Sequence, residues 1–176
     1  MNYKDLLRTG KTHLEKFPDN AAVPGPLHIF PSGARWMFDR LNELDGKKEQ
    51  AFNTTVNYNF YGCLKYGVCL TGFGLSICCC LHYSYWCIPM SILLFYVLEV
   101  HFLFLFPLLI DNSQRPMLTG IQKTYQLGLF KCLFTVVPIA IFMLLGLLRK
   151  KDPFRNWHIG CLAILIWYKN EVRNRI

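Results

Sequence analysis

The chain is short of charge. Asp, Glu, Lys and Arg make up 17% of its 176 residues, against about 25% in an average soluble domain. Acidic residues are the scarcest, at 11, while 53% of the chain is hydrophobic. That balance argues against an ordinary water-soluble globule. Glycine and proline, at 12 and 9, follow no period, which excludes collagen-like and low-complexity classes. Aromatics at 15% exclude a disordered chain, which would be poor in them. No Cys-x-x-Cys pair occurs, so the spacing of a zinc knuckle is missing. There is no serine nucleophile elbow, phosphate-binding glycine loop, HExxH or dinucleotide fingerprint. No cofactor and no metal is expected, and no motif names a reaction. The first 17 residues carry Lys4, Asp5, Arg8, Lys11, Glu15 and Lys16 and hold no apolar core of signal-peptide length.

Three long apolar runs stand out. Residues 60–81 contain one charge, Lys65; residues 85–110 contain Glu99 and His101; residues 127–148 contain Lys131. A helix needs about 20 residues to cross a hydrocarbon core of about 30 Å, and each run has that length. None alternates with a period of two, which argues against a barrel. A fourth segment starts well at Asp152-Pro153, where Asp caps and Pro needs no amide donor. Its apolar centre, 159–168, would span only about 15 Å as a helix. It would cross with Arg155 and Lys169 snorkelling, lie in the interface, or dip and return. The expectation is an all-α integral membrane protein, a bundle of three to four transmembrane helices over 58–176. Its spans fall at about 60–81, 86–110 and 127–148, with a shorter fourth at 154–168.

Residues 1–57 read as a polar segment with two short amphipathic helices. Tyr3, Leu7, Leu14 and Phe17 recur at helical spacing. Residues 18–31 hold four prolines and read as a connector. Ser32 would cap the second helix, with Met37, Leu41 and Leu44 on one face and Gly46 ending it. Such helices suit the membrane surface or packing within the chain.

The net charge of +8 is uneven. Residues 1–57 hold eight Lys/Arg and seven Asp/Glu; residues 58–176 hold eleven and four. Basic residues that punctuate apolar runs favour anionic lipid headgroups. A nucleic-acid binder clusters them on one wet surface, so membrane lipids are expected as partners and nucleic acid is not. Tyr58, Tyr61, Tyr83, Tyr85, Trp86, Tyr125, Trp157, Trp167 and Tyr168 fall near the span ends, where amphipathic rings sit at headgroup level. Four crossings with both termini inside would place Arg40, Lys47, Lys48, Arg115, Lys123, Lys169, Arg173 and Arg175 in the cytoplasm and Arg149, Lys150, Lys151 and Arg155 outside. Three crossings with only the carboxyl terminus inside give seven against five, so the charge count leaves both orientations open.

Glu99 is the most informative position. A charge at mid-span costs about 2.5–3.5 kcal/mol on insertion scales, so it needs a partner or a use. His101 is two residues on, about 200° around the helix, so the two do not share a face. Lys65, Lys131 and His158 are the partners within reach of sequence reasoning. Asp111 and Arg115, in the polar loop 111–116, would bind a headgroup or a metal, or simply cap helices. Of eight cysteines, Cys78 stands four residues from His82, but Cys in a span usually behaves as a small apolar residue. Gly72, Ser76 and Cys80 recur every fourth residue and allow close helix approach, a face for a partner membrane protein or a second copy. Pro138 should bend the third run.

Three functions compete. The first is an accessory, assembly or scaffold subunit with no chemistry of its own. The second is a membrane enzyme acting on a lipid or isoprenoid-like substrate, with Glu99, His101, Asp111, Arg115 and His158 converging on one cavity. The third is a small transporter or channel subunit in which Glu99 faces a polar path.

Overall fold

The amphipathic start of the chain forms α1 (Tyr3–Lys16), with Leu6, Gly10 and Leu14 buried along one face. The computed structural model describes residues 2–17, 29–46, 51–83, 85–149 and 152–173. Most of the connector at 18–31 lies outside the described residues, as do Lys47, Lys48, Lys150, Lys151 and Arg175 of the orientation count. Helix α2 (Ile29–Asp45) begins three residues before Ser32. Pro31 then falls in its first turn, where a missing amide donor costs little. Gly46, at φ 66°, ends it in the left-handed region.

The first apolar run forms α3 (Tyr58–Tyr83). A single 3-10 turn (Tyr85–Cys87) leads into α4 (Ile88–His101), which returns antiparallel to α3. Gly72 faces Leu98, a Cβ there meeting Leu98 Cδ1 at 2.5 Å. Further toward the tip, Ser76 and Ser91 share a hydrogen bond of 2.9 Å and Cys80 Sγ stands 3.4 Å from Ser91 Oγ. The small-residue line that suggested an outside partner is thus engaged by α4 of the same chain.

The second run is broken where one span was expected. Amides of Phe102, Leu103 and Leu105 bond three residues back, to Glu99, Val100 and Phe102, at 3.0–3.2 Å. Helix α5 (Leu105–Ile110) follows. Pro107 has no amide for the Leu103 carbonyl, so a continuous helix would leave that group unserved. The break puts Pro107 in a first turn instead. It also turns residues 102–110 inward: all nine are buried.

Helix α6 (Pro116–Leu127) was not anticipated; Pro116 opens it, and Gly120 and Thr124 are buried along it. It runs back over α5 and the end of α4, with Thr124 Oγ1 donating to the Val100 carbonyl at 3.2 Å. Gly128, at φ 93°, turns the chain sharply into α7 (Leu129–Leu147). Pro138 lies inside α7, as its place in the third run suggests. Finally α8 (Arg155–Trp167) ends in a π-helical turn (Tyr168–Val172).

Among the described residues, three helices are long and apolar enough to cross a membrane: Tyr58–Tyr83, the bent Ile88–Ile110, and Leu129–Leu147. The fourth segment is packed inside the chain. At 13 residues it is short, and Ile159, Gly160, Leu162, Ala163, Leu165, Ile166 and Trp167 are all buried by protein. Helices α1 and α7 flank it, with α2 beside them. Its apolar content therefore serves the interior of the chain. Both flanking helices run antiparallel to it. Glu15 at the end of α1 pairs with Arg155 at the start of α8 at 3.0 Å. At the end of α7, Gly146 packs on Asn156, whose Nδ2 donates to the Phe142 carbonyl at 3.2 Å. The core is closed by Phe104, whose ring lies 5.6 Å from Trp167 and 5.9 Å from Tyr168.

Candidate functional site

Lys65 of α3 and Glu99 of α4 face each other below the level at which Gly72 lets the two helices close. Lys65 Nζ lies 3.4 Å from Glu99 Oε1, with the lysine side chain 9% exposed and the carboxylate 23%. The ammonium also sits 5.2 Å above the Tyr66 ring. A half-buried carboxylate and a buried ammonium compensate one another, which removes most of the cost either would carry alone. A second acid of the apolar half, Glu171, takes Lys131 at 2.6 Å, so Lys131 is not the partner of Glu99.

His101 ends α4. Its Nδ1 stands 2.6 Å from the Val97 carbonyl and its Nε2 3.1 Å from the Tyr125 hydroxyl. A carbonyl only accepts, so Nδ1 carries the proton. In the neutral ring Nε2 then accepts from Tyr125. Both nitrogens of the imidazole are occupied by these contacts.

Asp111 follows α5 and ties the end of that helix to the end of α8. Its Oδ2 accepts from the Tyr168 hydroxyl at 2.6 Å, and its Oδ1 pairs with Arg173 at 2.8 Å. Arg173 also pairs with Asp45 at the end of α2. Lys169 joins the same carboxylate at 3.0 Å and donates to the Leu44 carbonyl. Two acids, two bases and a phenol thus balance in one network that gathers α2, α5 and α8. Burial and then the hydrogen bond to Asp111 push the Tyr168 phenol far above its ordinary range, so Tyr168 stays a donor. Lys169 and Arg173 stand four apart on one face, but nothing local in the sequence pairs them with Asp45 or Asp111.

Arg115 sits exposed at the N-cap of α6, its carbonyl accepting from Thr119 at 2.9 Å. His158 lies near the start of α8, its ring stacked on Trp36 of α2 at 5.3 Å.

Glu99, His101, Asp111 and His158 are therefore each engaged by a different partner. His158 and Tyr168 are ten residues apart on α8, about 15 Å along its axis, and Asp111 is at the Tyr168 end. Glu99 and His101 point to different elements, α3 and α6, as their 200° separation requires. Among the described residues, no three His, Cys, Asp or Glu side chains come together to hold a metal ion. Cys78, beside His82 in the sequence pattern, is exposed on α3 with a free thiol.

No family model, curated protein or solved structure matches this chain.

Proposed function

We propose that this chain is a small polytopic membrane protein without chemistry of its own, an accessory, assembly or scaffold subunit. One observation carries the reading: three of the five candidate groups, Glu99, His101 and Asp111, are spent on holding helices together. Glu99 binds α4 to α3 through Lys65. Asp111 binds α5 to α8 through Tyr168 and Arg173. His101 binds α4 to α6 through Tyr125. A lipid-processing site would need several of these side chains turned to one scissile bond, and each is turned to a partner of its own instead. A transporter would need Glu99 to exchange its partner for an ion along a wet path, and its carboxylate is closed against Lys65. The lipid-facing character comes from the exposed apolar residues of α3, α4 and α7.

The test uses Glu99→Gln and Lys65→Met/Glu99→Gln, purified in detergent and reconstituted in liposomes. Under the proposal, Glu99→Gln lowers thermal stability and recovery in the membrane fraction, the double variant regains part of both, and wild-type liposomes show neither lipid turnover nor a proton or cation flux. A Glu99→Gln protein of wild-type stability that has lost a measurable flux or turnover would overturn it.

A further inference from the structure

Residues 66–98 contain no Asp, Glu, Lys or Arg. They form the part of the α3–α4 hairpin that lies beyond the Lys65–Glu99 pair. That part of α3 packs on α4, and α4 also touches α7; α2 reaches α3 through Phe30, which meets Gly62 and stacks on Tyr66 at 5.8 Å, and Cys69 is buried one turn further on. Only 17% of the apolar stretch of α3 is buried, against 50% for the second run. Leu70, Leu75 and Leu81 on α3 and Met90, Ile92 and Leu93 on α4 are exposed, and Gly67 and Gly74 look into open space. The tip carries Tyr83, Tyr85 and Trp86, exposed by 83%, 72% and 92%. From Lys65 to Tyr83 the helix is about 27 Å long, close to the thickness of a hydrocarbon core of about 30 Å. An uncharged two-helix arm of that length, ending in Tyr and Trp, has the chemistry of a bilayer crossing with its tip at the far headgroup layer.

The other side of the molecule is built differently. Helix α7 turns Phe130, Phe134, Ile141, Leu144 and Leu148 outward. Helix α8 lies behind it, buried. Helix α1 covers α8 and turns Lys4, Asp5, Arg8, Lys11 and Glu15 outward. These three antiparallel neighbours make a slab with one hydrocarbon-like face and one charged face. A row of charges on hydrocarbon is prohibitively costly, so the α1 face requires water.

We infer that bilayer hydrocarbon covers the exposed faces of the α3–α4 hairpin beyond Lys65 and Glu99 and lies along the outer stripe of α7, while α1 faces water and α8 is a protein-buried helix between those two surfaces rather than a lipid-exposed crossing. This rests on the membrane reading proposed above and goes further, because it assigns which surfaces meet lipid and which do not. The absence of formal charge over residues 66–98 selects lipid over a polar protein partner for the hairpin.

The full chain is placed in nanodiscs of phosphatidylcholine and phosphatidylglycerol at one copy per disc. Cysteine is introduced separately by Gly74→Cys, where a Cβ meets nothing within 4 Å, and by Thr12→Cys on the exposed face of α1. A sulfonated maleimide is added, and modified sites are located by peptide mass spectrometry, which separates them from the native cysteines. The expected result is modification at position 12 at least about tenfold faster than at position 74, since a thiol in hydrocarbon neither ionises nor meets the reagent. Equal rates, or a protected position 12, would overturn the assignment. So would a disulfide between two Gly74→Cys chains forming readily in discs loaded with two copies, which would put a second copy on the hairpin instead of lipid. The wider membrane reading fails separately, by recovery of the folded protein in the supernatant after detergent-free lysis.

Discussion

Gly10 of α1 lies so close to α8 that a Cβ added to it would stand 2.9 Å from the Ile159 carbonyl oxygen and 3.3 Å from the Ala163 nitrogen. Both neighbours are backbone atoms of a buried helix, so neither moves without displacing α8. The contact seats α1, with Leu6 and Leu14 one turn to either side. Gly10→Ala should therefore destabilise the protein by about 1–3 kcal/mol, the usual cost of overpacking, despite the better helix propensity of alanine. Gly33→Ala, with nothing within 4 Å of its Cβ, should be neutral or stabilising by up to about 1 kcal/mol. Thermal unfolding of the two variants in the same detergent checks the contrast; equal shifts would show that α1 does not seat on α8.

Removing one partner of a buried ion pair leaves the other uncompensated. Lys65→Met and Glu99→Gln should each cost about 3–5 kcal/mol, and the double variant should cost much less than their sum. A double-mutant cycle on chemical unfolding measures the coupling. Additive effects would mean that the 3.4 Å approach contributes nothing to stability.

Tyr168→Phe removes the donor to Asp111 and leaves the carboxylate with Arg173. A hydrogen bond to a charged group is worth about 1.5–3 kcal/mol, so a loss of that order is expected. Asp111→Ala should cost more, because it strands the phenol and also removes one of the two carboxylates on Arg173. The order of the two midpoints decides the matter, and a smaller loss for Asp111→Ala would place the strength of the network at Asp45.

His13 is half-buried on α1, and its Nδ1 is buried without a hydrogen-bond partner among the described residues. Burial lowers its pKa below the ordinary 6.5; the charge of Glu43 opposes this, and nearby cations such as Arg40 and Lys16 add to it. A lowered folded-state value means that the folded state holds its proton less tightly than the unfolded chain. The stabilisation is then complete above pH 6.5 and is lost as pH falls through the folded value. Burial alone would raise the Glu171 carboxyl, but the hydrogen bond and charge of Lys131 are foremost among the effects that hold it below 4.5 instead. Its contribution is present above 4.5 and lost at lower pH, so both groups make the protein acid-labile in successive windows. An NMR titration of the His13 ring is expected to give a midpoint under 6.5; a midpoint at or above that value would contradict the burial of the neutral ring.

The apolar runs, with their length and near-absence of charge, are written in the sequence, because insertion length and composition are properties of local segments. So is the need of Glu99 for a cation, and Lys65 was among the few available. The Gly72–Ser76–Cys80 spacing disclosed close packing but not its partner, since small side chains admit a helix from any chain. The break at 102–104 was hidden because Pro107 is compatible with either a bent span or a new first turn, and the choice depends on what buries Phe104. The gathering of Asp45, Asp111, Lys169 and Arg173 was equally hidden, because its members are up to 128 residues apart and charge complementarity has no local signature. Residue composition alone thus determined that the chain is helical with three segments fit for hydrocarbon. Tertiary packing decided that α8 is covered by α1 and α7. Hydrophobic burial has no direction in sequence, and only the neighbouring surfaces settle whether a methyl group is covered by protein or by a lipid tail.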